Sequence, residues 1–415
     1  MKRILFLFLL TWSAATAQHI PAEIDTLMAA YKDFRGTVLV ARGGTVLLKK
    51  GYGNQENTIY QIASVTKTFT ATAILKLAER GRLSLEDKLS KYYPDYPRGD
   101  SITIRHLLTH TSGIYNYTMN REFMETAAGQ PATEEQMLAL FKDKSLDFSP
   151  GTSWNYSNSG YMLLGYIIQK VTGMTYEQAL RKYLFEPDGM HDSGFDFVRL
   201  NAPLKASSDF PSVDPSVSFA AGSIYSTVGD LYKWHQSLQT QTSMMEPAYI
   251  PFKGNYGYGW IIDTVYGHKV VSHSGGIWGF RSNFARVPSD NICIVMLSNT
   301  ETPLLETMTR KIFAILYHQP YQLPGKKKEI ILNTTVLQKY VGTYEAKERG
   351  LVVEVRLEDG KLIAAPHRGP QSVLCAVDET HFFLEGQEDF EVIFAAGEKL
   401  IINNNGKTVI ALKIN

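Results

Sequence analysis

Ser64-Val65-Thr66-Lys67 sets a hydroxyl and an amine three residues apart where a helix begins. The run Ser64 to Arg80 reads as that helix, closed by Gly81, with Ile74, Leu77 and Ala78 available for a buried face. Residues at i and i+3 share a helix face, so Lys67 can lean over Ser64 and help remove its proton. A serine hydroxyl is a weak nucleophile until a base or a well-placed cation activates it. Free N–H groups and the positive end of the helix dipole favour negative charge developing close to Ser64. Composition alone gives roughly one such tetrad in a chain of this length, so its neighbours decide the reading.

Outward from this helix the chain organises into two parts. Upstream, Glu23 to Tyr31 reads as a helix, and Thr37 to Ala41 with Thr45 to Lys49 reads as a hairpin turning at Gly43-Gly44. From about 84 to 255 the pattern is mostly helices and long loops. Tyr256 to Ile262, Lys269 to Ser272, Gly279 to Val287 and Ile292 to Leu297 then read as consecutive strands, and Thr302 to Tyr317 as a closing helix. Strands flanking a helical insertion predict an α+β fold: an antiparallel sheet covered by helices plus an all-helical lobe. Residues 18–320 form this domain. A linker rich in Pro, Gly and charge follows at 321–330, within Pro320 to Lys328 and its flank. From 331 to 415 short alternating segments recur, among them Leu351 to Arg356, Lys361 to Ala365, His381 to Leu384, Glu391 to Phe394 and Lys407 to Leu412, with Gly360, Gly386, Gly397 and Gly406 between them. That pattern predicts a small all-β barrel. His367 and Arg368, in the segment Pro366 to Pro370, read as a solvated turn.

The whole-chain balance excludes several classes. With 42 basic and 41 acidic residues the net charge is +1, and no basic face argues for nucleic acid. Lys2-Arg3, the apolar run Ile4 to Leu10 and the small residues Ala15-Thr16-Ala17 read as a signal peptide at 1–17 with cleavage after Ala17, hence a secreted or periplasmic protein with no stable membrane span. The two cysteines, Cys293 and Cys375, lack metal-like spacing, and Cys293 in the apolar run Ile292 to Leu297 reads as a buried free thiol. No zinc-protease, Cys-x-x-Cys or phosphate-loop motif is present, so no metal or cofactor is expected.

Two further segments complete a constellation. Tyr156-Ser157-Asn158 immediately precedes a helix read from Tyr161 to Val171 and ended by Gly173. A phenol beside a lysine ammonium is drawn below its usual range and can serve as a general base. Tyr52-Gly53-Asn54 has the same spacing but reads as a turn. His273-Ser274-Gly275-Gly276 follows a strand, where glycines allow close approach of an extended substrate. A backbone N–H there, with that of Ser64, can form an oxyanion hole, and His273 can hold a carboxylate or assist proton transfer. His110-Thr111-Ser112-Gly113 is a second string of the same kind.

The order Ser-x-x-Lys, Tyr-x-Asn, His-Ser-Gly resembles the serine β-lactamase and penicillin-binding-protein superfamily, and within it the branch of class C β-lactamases, D-aminopeptidases, DD-carboxypeptidases and related esterases. Ile59-Tyr60-Gln61-Ile62-Ala63-Ser64, Leu107-Leu108-Thr109-His110-Thr111-Ser112-Gly113 and Ala221-Gly222-Ser223-Ile224-Tyr225-Ser226-Thr227 with Asp230-Leu231 extend the match over about 25 to 318. The second of these strings is a family signature, which makes it structural here. The tail from Leu337-Gln338-Lys339-Tyr340-Val341-Gly342-Thr343-Tyr344 is similar to the lipocalin-like β-domain appended to some members.

By this resemblance Ser64 is the nucleophile that forms an acyl-enzyme. Lys67 and Tyr156 share the proton work, the N–H groups of Ser64 and Gly276 form the oxyanion hole, and Asn158, His273, Ser274 and Gly275 bind substrate. Members that hydrolyse β-lactams or D-Ala-D-Ala peptides usually carry lysine at the position of His273, a permanent cation that histidine does not replace. An ester or D-amino-acid peptide is therefore the expected substrate. A β-lactam or cell-wall peptide is the alternative, and a non-catalytic peptide- or glycan-binding protein is the rival from another class.

Overall fold

The computed structural model describes residues 19–301, 304–325, 327–367, 371–385, 387–395, 398–404 and 407–414. The expected leader, Arg368, Pro370, Gly386, Gly397 and Gly406 lie outside the described residues. Two compact units divide the chain, the first ending at His318 and the second beginning at Gln319.

In the first unit a helix over 19–30 (α1) leads into the hairpin of β1 (Gly36–Arg42) and β2 (Thr45–Tyr52). Gly43 and Gly44 turn it at φ +59° and +82°, values that favour glycine. Next comes α2 (Thr66–Glu79), preceded by a tight turn over Ala63–Val65 and closed by Gly81 at φ +65°. This helix is central rather than amphipathic. Its polar residues Thr68, Thr70 and Thr72 are buried, and their hydroxyls donate to the carbonyls of Val65, Ala220 and Thr68 at 2.9, 2.7 and 2.8 Å.

The helical lobe contributes α3 (Ile104–Leu108), α4 (Asn158–Thr172) and α5 (Pro215–Gly222). Thr103 caps α3 reciprocally with His106, and α4 stops at Gly173, φ +69°. Helix α5 is interrupted at Phe219, whose φ of 35° and ψ of −132° are not helical.

The sheet returns as β3 (Ile261–Val265), β4 (His268–Ile277), β5 (Phe280–Val287) and β6 (Ile292–Ser298), antiparallel and in that order. Strand β1 lies beside β6, where a side chain at Gly36 would run into the Leu297 carbonyl. Helix α6 (Leu305–Leu316) packs on this sheet. Helices thus cover an antiparallel sheet and a helical lobe is inserted between its strands, as the sequence pattern predicts.

Two strand boundaries in the first unit differ from expectation by five residues. The strand read from Tyr256 starts five residues later, at Ile261. Tyr256 to Trp260 is instead a tight turn in which Gly257 N–H donates to the Trp260 carbonyl at 2.8 Å. Gly259, φ +79°, passes so close to α2 that a Cβ would sit 2.7 Å from the Lys67 carbonyl. The strand read as Lys269 to Ser272 runs on to Ile277, because Gly275 and Gly276 pair across the sheet with Ser282 and Arg281.

The second unit is a closed eight-stranded barrel, from β7 (Gly342–Ala346) to β14 (Lys407–Lys413), with each strand beside the next and β14 pairing back to β7. Eight strands leave room for side chains alone inside. Leu362, Phe382, Phe394 and Leu400 fill that core, and Tyr340 stacks on Phe394 at 4.3 Å between ring centroids. No helix among the described residues is long and apolar enough to cross a membrane.

Candidate active site

Ser64 sits at the mouth of α2, one residue after Ala63, which is held at φ +45°. A non-glycine residue in that region costs of order 1–3 kcal/mol, a strain that persists only where the surroundings over-determine it. Ser64 is half-buried and Lys67, one helical turn on, is fully buried.

Lys67 Nζ lies 3.1 Å from Ser64 Oγ, 2.8 Å from Asn158 Oδ1 and 2.8 Å from the Ala221 carbonyl. The last two atoms can only accept, so the amine donates to both. Burial holds Lys67 well below the usual lysine range. Loss of a proton from this group leaves two hydrogens for Asn158 and Ala221 and a lone pair for Ser64 Oγ. Asn158 is itself fixed, because its Nδ2 donates to Thr118 Oγ1 at 3.2 Å and its backbone N–H to Asn116 Oδ1 at 3.0 Å.

Tyr156 precedes α4 on the same wall. Its ring lies 4.9 Å from Lys67 Nζ and its hydroxyl is hydrogen-bonded to Ser64. Burial raises the phenol well above its ordinary value, and the Ser64 hydrogen bond only partly offsets this. Burial thus works against both the Lys67 ammonium and the Tyr156 phenolate, the charges expected from sequence. The physical reason is that desolvation penalises the charged form of both groups.

Strand β4 forms the opposite wall. A Cβ on Gly275 would lie 2.5 Å from the Ile62 carbonyl and 3.0 Å from Ser64 N, so only glycine lets this strand press against the Ser64 turn. The β3–β4 ladder ends at the Ile261–Ser272 pair, leaving the edge of β4 from His273 to Ile277 without a strand on that side in this sheet. Ser274 pairs with Asn283, and Gly276 with Arg281.

His273 is 2% exposed. Its Nδ1 lies 2.6 Å from the Ser274 carbonyl, so Nδ1 carries the proton, and Nε2 accepts from the Tyr256 hydroxyl at 2.8 Å. Burial, with Lys67 nearby, takes the imidazole down to about 3. His273 is thus neutral with both ring nitrogens used inside the protein, and its ring lies 6.3 Å from that of Tyr156.

The structure brings Ser64, Lys67, Tyr156 and Asn158 together and lays His273 to Gly276 alongside. Tyr52-Gly53-Asn54 is engaged elsewhere: Tyr52 donates to Asp25 Oδ1 at 2.8 Å. Three contributors escape sequence reasoning. Ala221 acts through its carbonyl, Tyr256 through the His273 ring and Thr118 through the Asn158 amide. Of these only Ala221 lay in a recognised string, and nothing in that string signals a backbone role. Among the described residues no group of three or more His, Cys, Asp or Glu could hold a metal ion, and both cysteines are buried free thiols.

Known proteins resemble this chain over most of its length. A family model described as Beta-lactamase matches residues 22–318. Penicillin-binding protein 4* of Bacillus subtilis (strain 168) is 29% identical over 429 aligned residues, covering 92% of this chain and 94% of its own. Among solved structures, the octameric penicillin-binding protein homologue from Pyrococcus abyssi matches 94% of this chain and 99% of its own, with a TM-score of 0.65 and 26% identity. A D-stereospecific amidohydrolase from Streptomyces sp. covers 69% of this chain and 94% of its own, with a TM-score of 0.60 and 28% identity.

Proposed function

The chain belongs to the beta-lactamase family, and from that premise we propose that it is an exported serine hydrolase that cleaves an ester or a D-amino-acid amide through an acyl-enzyme on Ser64. The observation that carries the reading is the fully buried Lys67 amine, 3.1 Å from Ser64 Oγ and fixed at 2.8 Å by both Asn158 Oδ1 and the Ala221 carbonyl.

In this mechanism Ser64 Oγ attacks the substrate carbonyl carbon while its proton passes to Lys67 Nζ. The oxyanion is held by the N–H groups of Ser64 and Gly276, the latter on the edge of β4 that has no neighbouring strand. Collapse of the tetrahedral species breaks the bond to the leaving group, which takes a proton from Tyr156. Lys67, protonated by the attack, passes that proton to the phenolate. Water then attacks the acyl carbon as its own proton goes to Lys67, and the second tetrahedral species collapses as that proton passes to Ser64 Oγ, releasing the acid.

The neutral, internally bonded His273 supports an uncharged acyl or leaving group over the carboxylate-bearing substrates of a β-lactamase or DD-carboxypeptidase. Likeness to the D-stereospecific amidohydrolase supports the amide branch. Export rests on Lys2-Arg3, the run Ile4 to Leu10 and the Ala15-Thr16-Ala17 cut site.

A panel of short-chain esters, D-amino-acid peptides and β-lactams, read by turnover and by intact mass after an acylating probe, tests the assignment. Turnover of esters or D-amides with an adduct on Ser64 is expected, and Ser64→Ala should remove both. Full hydrolysis by Ser64→Ala sinks the nucleophile. No adduct and no turnover across the panel favours a binding protein on the same scaffold.

A further inference from the structure

We propose that His110 is the positioning residue for Tyr156: it clamps the backbone on both sides of the tyrosine and so sets where the phenol meets Ser64. The proposal rests on the hydrolase reading above.

Asn155 N–H donates to the His110 carbonyl at 3.0 Å, and Ser157 N–H donates to His110 Nδ1 at 3.2 Å. The residues immediately before and after Tyr156 are thus tied to one residue, and the rings of His110 and Tyr156 lie 4.3 Å apart between centroids. His110 is held at φ +57°, in the left-handed region that histidine visits only occasionally. That conformation lets its carbonyl and its side chain serve the two flanks at once.

The ring is 1% exposed. Because Nδ1 accepts, Nε2 carries the proton of the neutral ring, and burial keeps the group neutral by holding it well below the usual histidine range. Nε2 has no hydrogen-bond partner among the described residues and lies in a cage with Tyr161 and Tyr256, at 5.1 and 4.6 Å between ring centroids. An imidazole left half-satisfied in a buried site costs more than an apolar filler of the same volume. The bond to Ser157 N–H is what the ring supplies that leucine would not.

The surrounding loop behaves as a template. Leu108, Thr111 and Gly113 accept at their carbonyls from Tyr161 Oη, Gly151 N and Asp147 N, each at 2.8 Å. The stretch 147–161 is laid along 108–113, with His110 opposite Tyr156. Thr152 to Asn155 are exposed, and the Trp154 ring among them meets the His110 ring edge-on at 6.3 Å between centroids. A displacement of about 1 Å at a reacting group costs about 10²-fold in rate.

The test compares two variants of the full chain. His110→Gly keeps the left-handed backbone and the carbonyl but removes the acceptor. His110→Asn also tolerates that backbone and keeps an acceptor near Nδ1. With p-nitrophenyl acetate, His110→Gly is expected to lose about 10²-fold in kcat with KM within about threefold, and His110→Asn to recover at least about tenfold of that loss. Crystal structures should show the Tyr156 hydroxyl displaced from Ser64 in the first variant and restored in the second. If His110→Gly does not fold, His110→Leu fills the volume without an acceptor and takes its place. Unchanged kcat in the acceptor-free variant, or equal losses in both variants with Tyr156 unmoved, overturns the clamp. If the wild-type chain neither turns over the ester nor labels at Ser64, the hydrolase reading falls, and the position of Tyr156 in the two variant structures decides the clamp by itself.

Discussion

Lys67, Arg286, His110, His235 and His273 are all buried in the first unit, whereas the buried side chains of the barrel are aliphatic, aromatic or cysteine. Among the described residues, every buried Ser, Thr, amide, histidine or charged side chain lies before His318. Polar burial is costly unless each group is bonded, and the first unit meets that condition for most of its groups, with His110 Nε2, Ser157 Oγ, Asp188 Oδ2 and the indole N–H groups of Trp234 and Trp260 as exceptions among the described residues. Arg286 donates to His235 Nδ1 at 2.9 Å, to Gln239 Oε1 at 2.9 Å and to the Tyr249 hydroxyl. The barrel meets it by exclusion, and its tyrosines carry their hydroxyls to backbone carbonyls, Tyr344 to Tyr340 at 2.9 Å and Tyr340 to Glu379 at 2.8 Å. One interior is arranged around bonded polar groups and the other around apolar area, at about 25 cal/mol per Å² buried.

Substitutions in the proton path should break this contrast most severely. Lys67→Ala is expected to lower kcat by about 10³- to 10⁴-fold and Tyr156→Phe by about 10²-fold, with ester turnover as the readout. Tyr156→Phe should change the midpoint of unfolding far less than it changes the rate. Equal activity in wild type and Tyr156→Phe would take the phenol out of the path.

In the barrel the expected effect is on stability. Leu362 is fully buried in the barrel core, and Leu362→Ala should cost about 2–5 kcal/mol, read by denaturant unfolding. A loss under about 1 kcal/mol would mean that the barrel interior is not the close-packed core described above.

The most graded effect is that of acid. Burial takes His235 and His273 down to about 3 and holds His110 well below its ordinary value. For a base whose folded value is depressed, the unfolded chain binds the proton first. The stability that these neutral rings contribute is fully present above about pH 6.5 and is lost as pH falls from there toward 3, at up to about 1.4 kcal/mol per pH unit per histidine. Unfolding followed from about pH 7 to pH 5 should show the first unit weakening. The described histidines of the barrel, His367 and His381, are exposed, and its response should be flatter. An acid response no steeper in the first unit than in the barrel would erase the distinction.

The same contrast governs what can be read from sequence. The barrel is visible as period-two alternation in Leu351 to Arg356, because a strand with one buried face repeats every second residue. Strand Ser372–Ala376 is missed because its last three residues are buried in succession and give no alternation. In the first unit, helix geometry links Ser64 to Lys67 at i and i+3, but that pair and Tyr156 with Asn158 are legible as a site only through the order of the three motifs and the family resemblance it carries. Tyr256 is misread as strand because its aromatic and glycine neighbours mimic one, while the actual turn is fixed by Gly259 passing against α2. The Ala221 carbonyl has no sequence signal, since every residue carries one. Nor does sequence reveal that His273 is neutral, which follows from depth and from a tyrosine 17 positions upstream.

The way α5 stops has a consequence for engineering heat tolerance. The segment breaks at Phe219 and ends at Gly222, and two of its carbonyls are taken by Thr70 and Lys67. Smoothing this stretch into a longer regular helix, an ordinary stabilising strategy, would return those carbonyls to the helix's own ladder. The amine would then lack one of the two acceptors that occupy its hydrogens, and a higher melting temperature would arrive together with a slower enzyme. Sequence changes that harden the protein without that loss have their room in the apolar staves of the barrel.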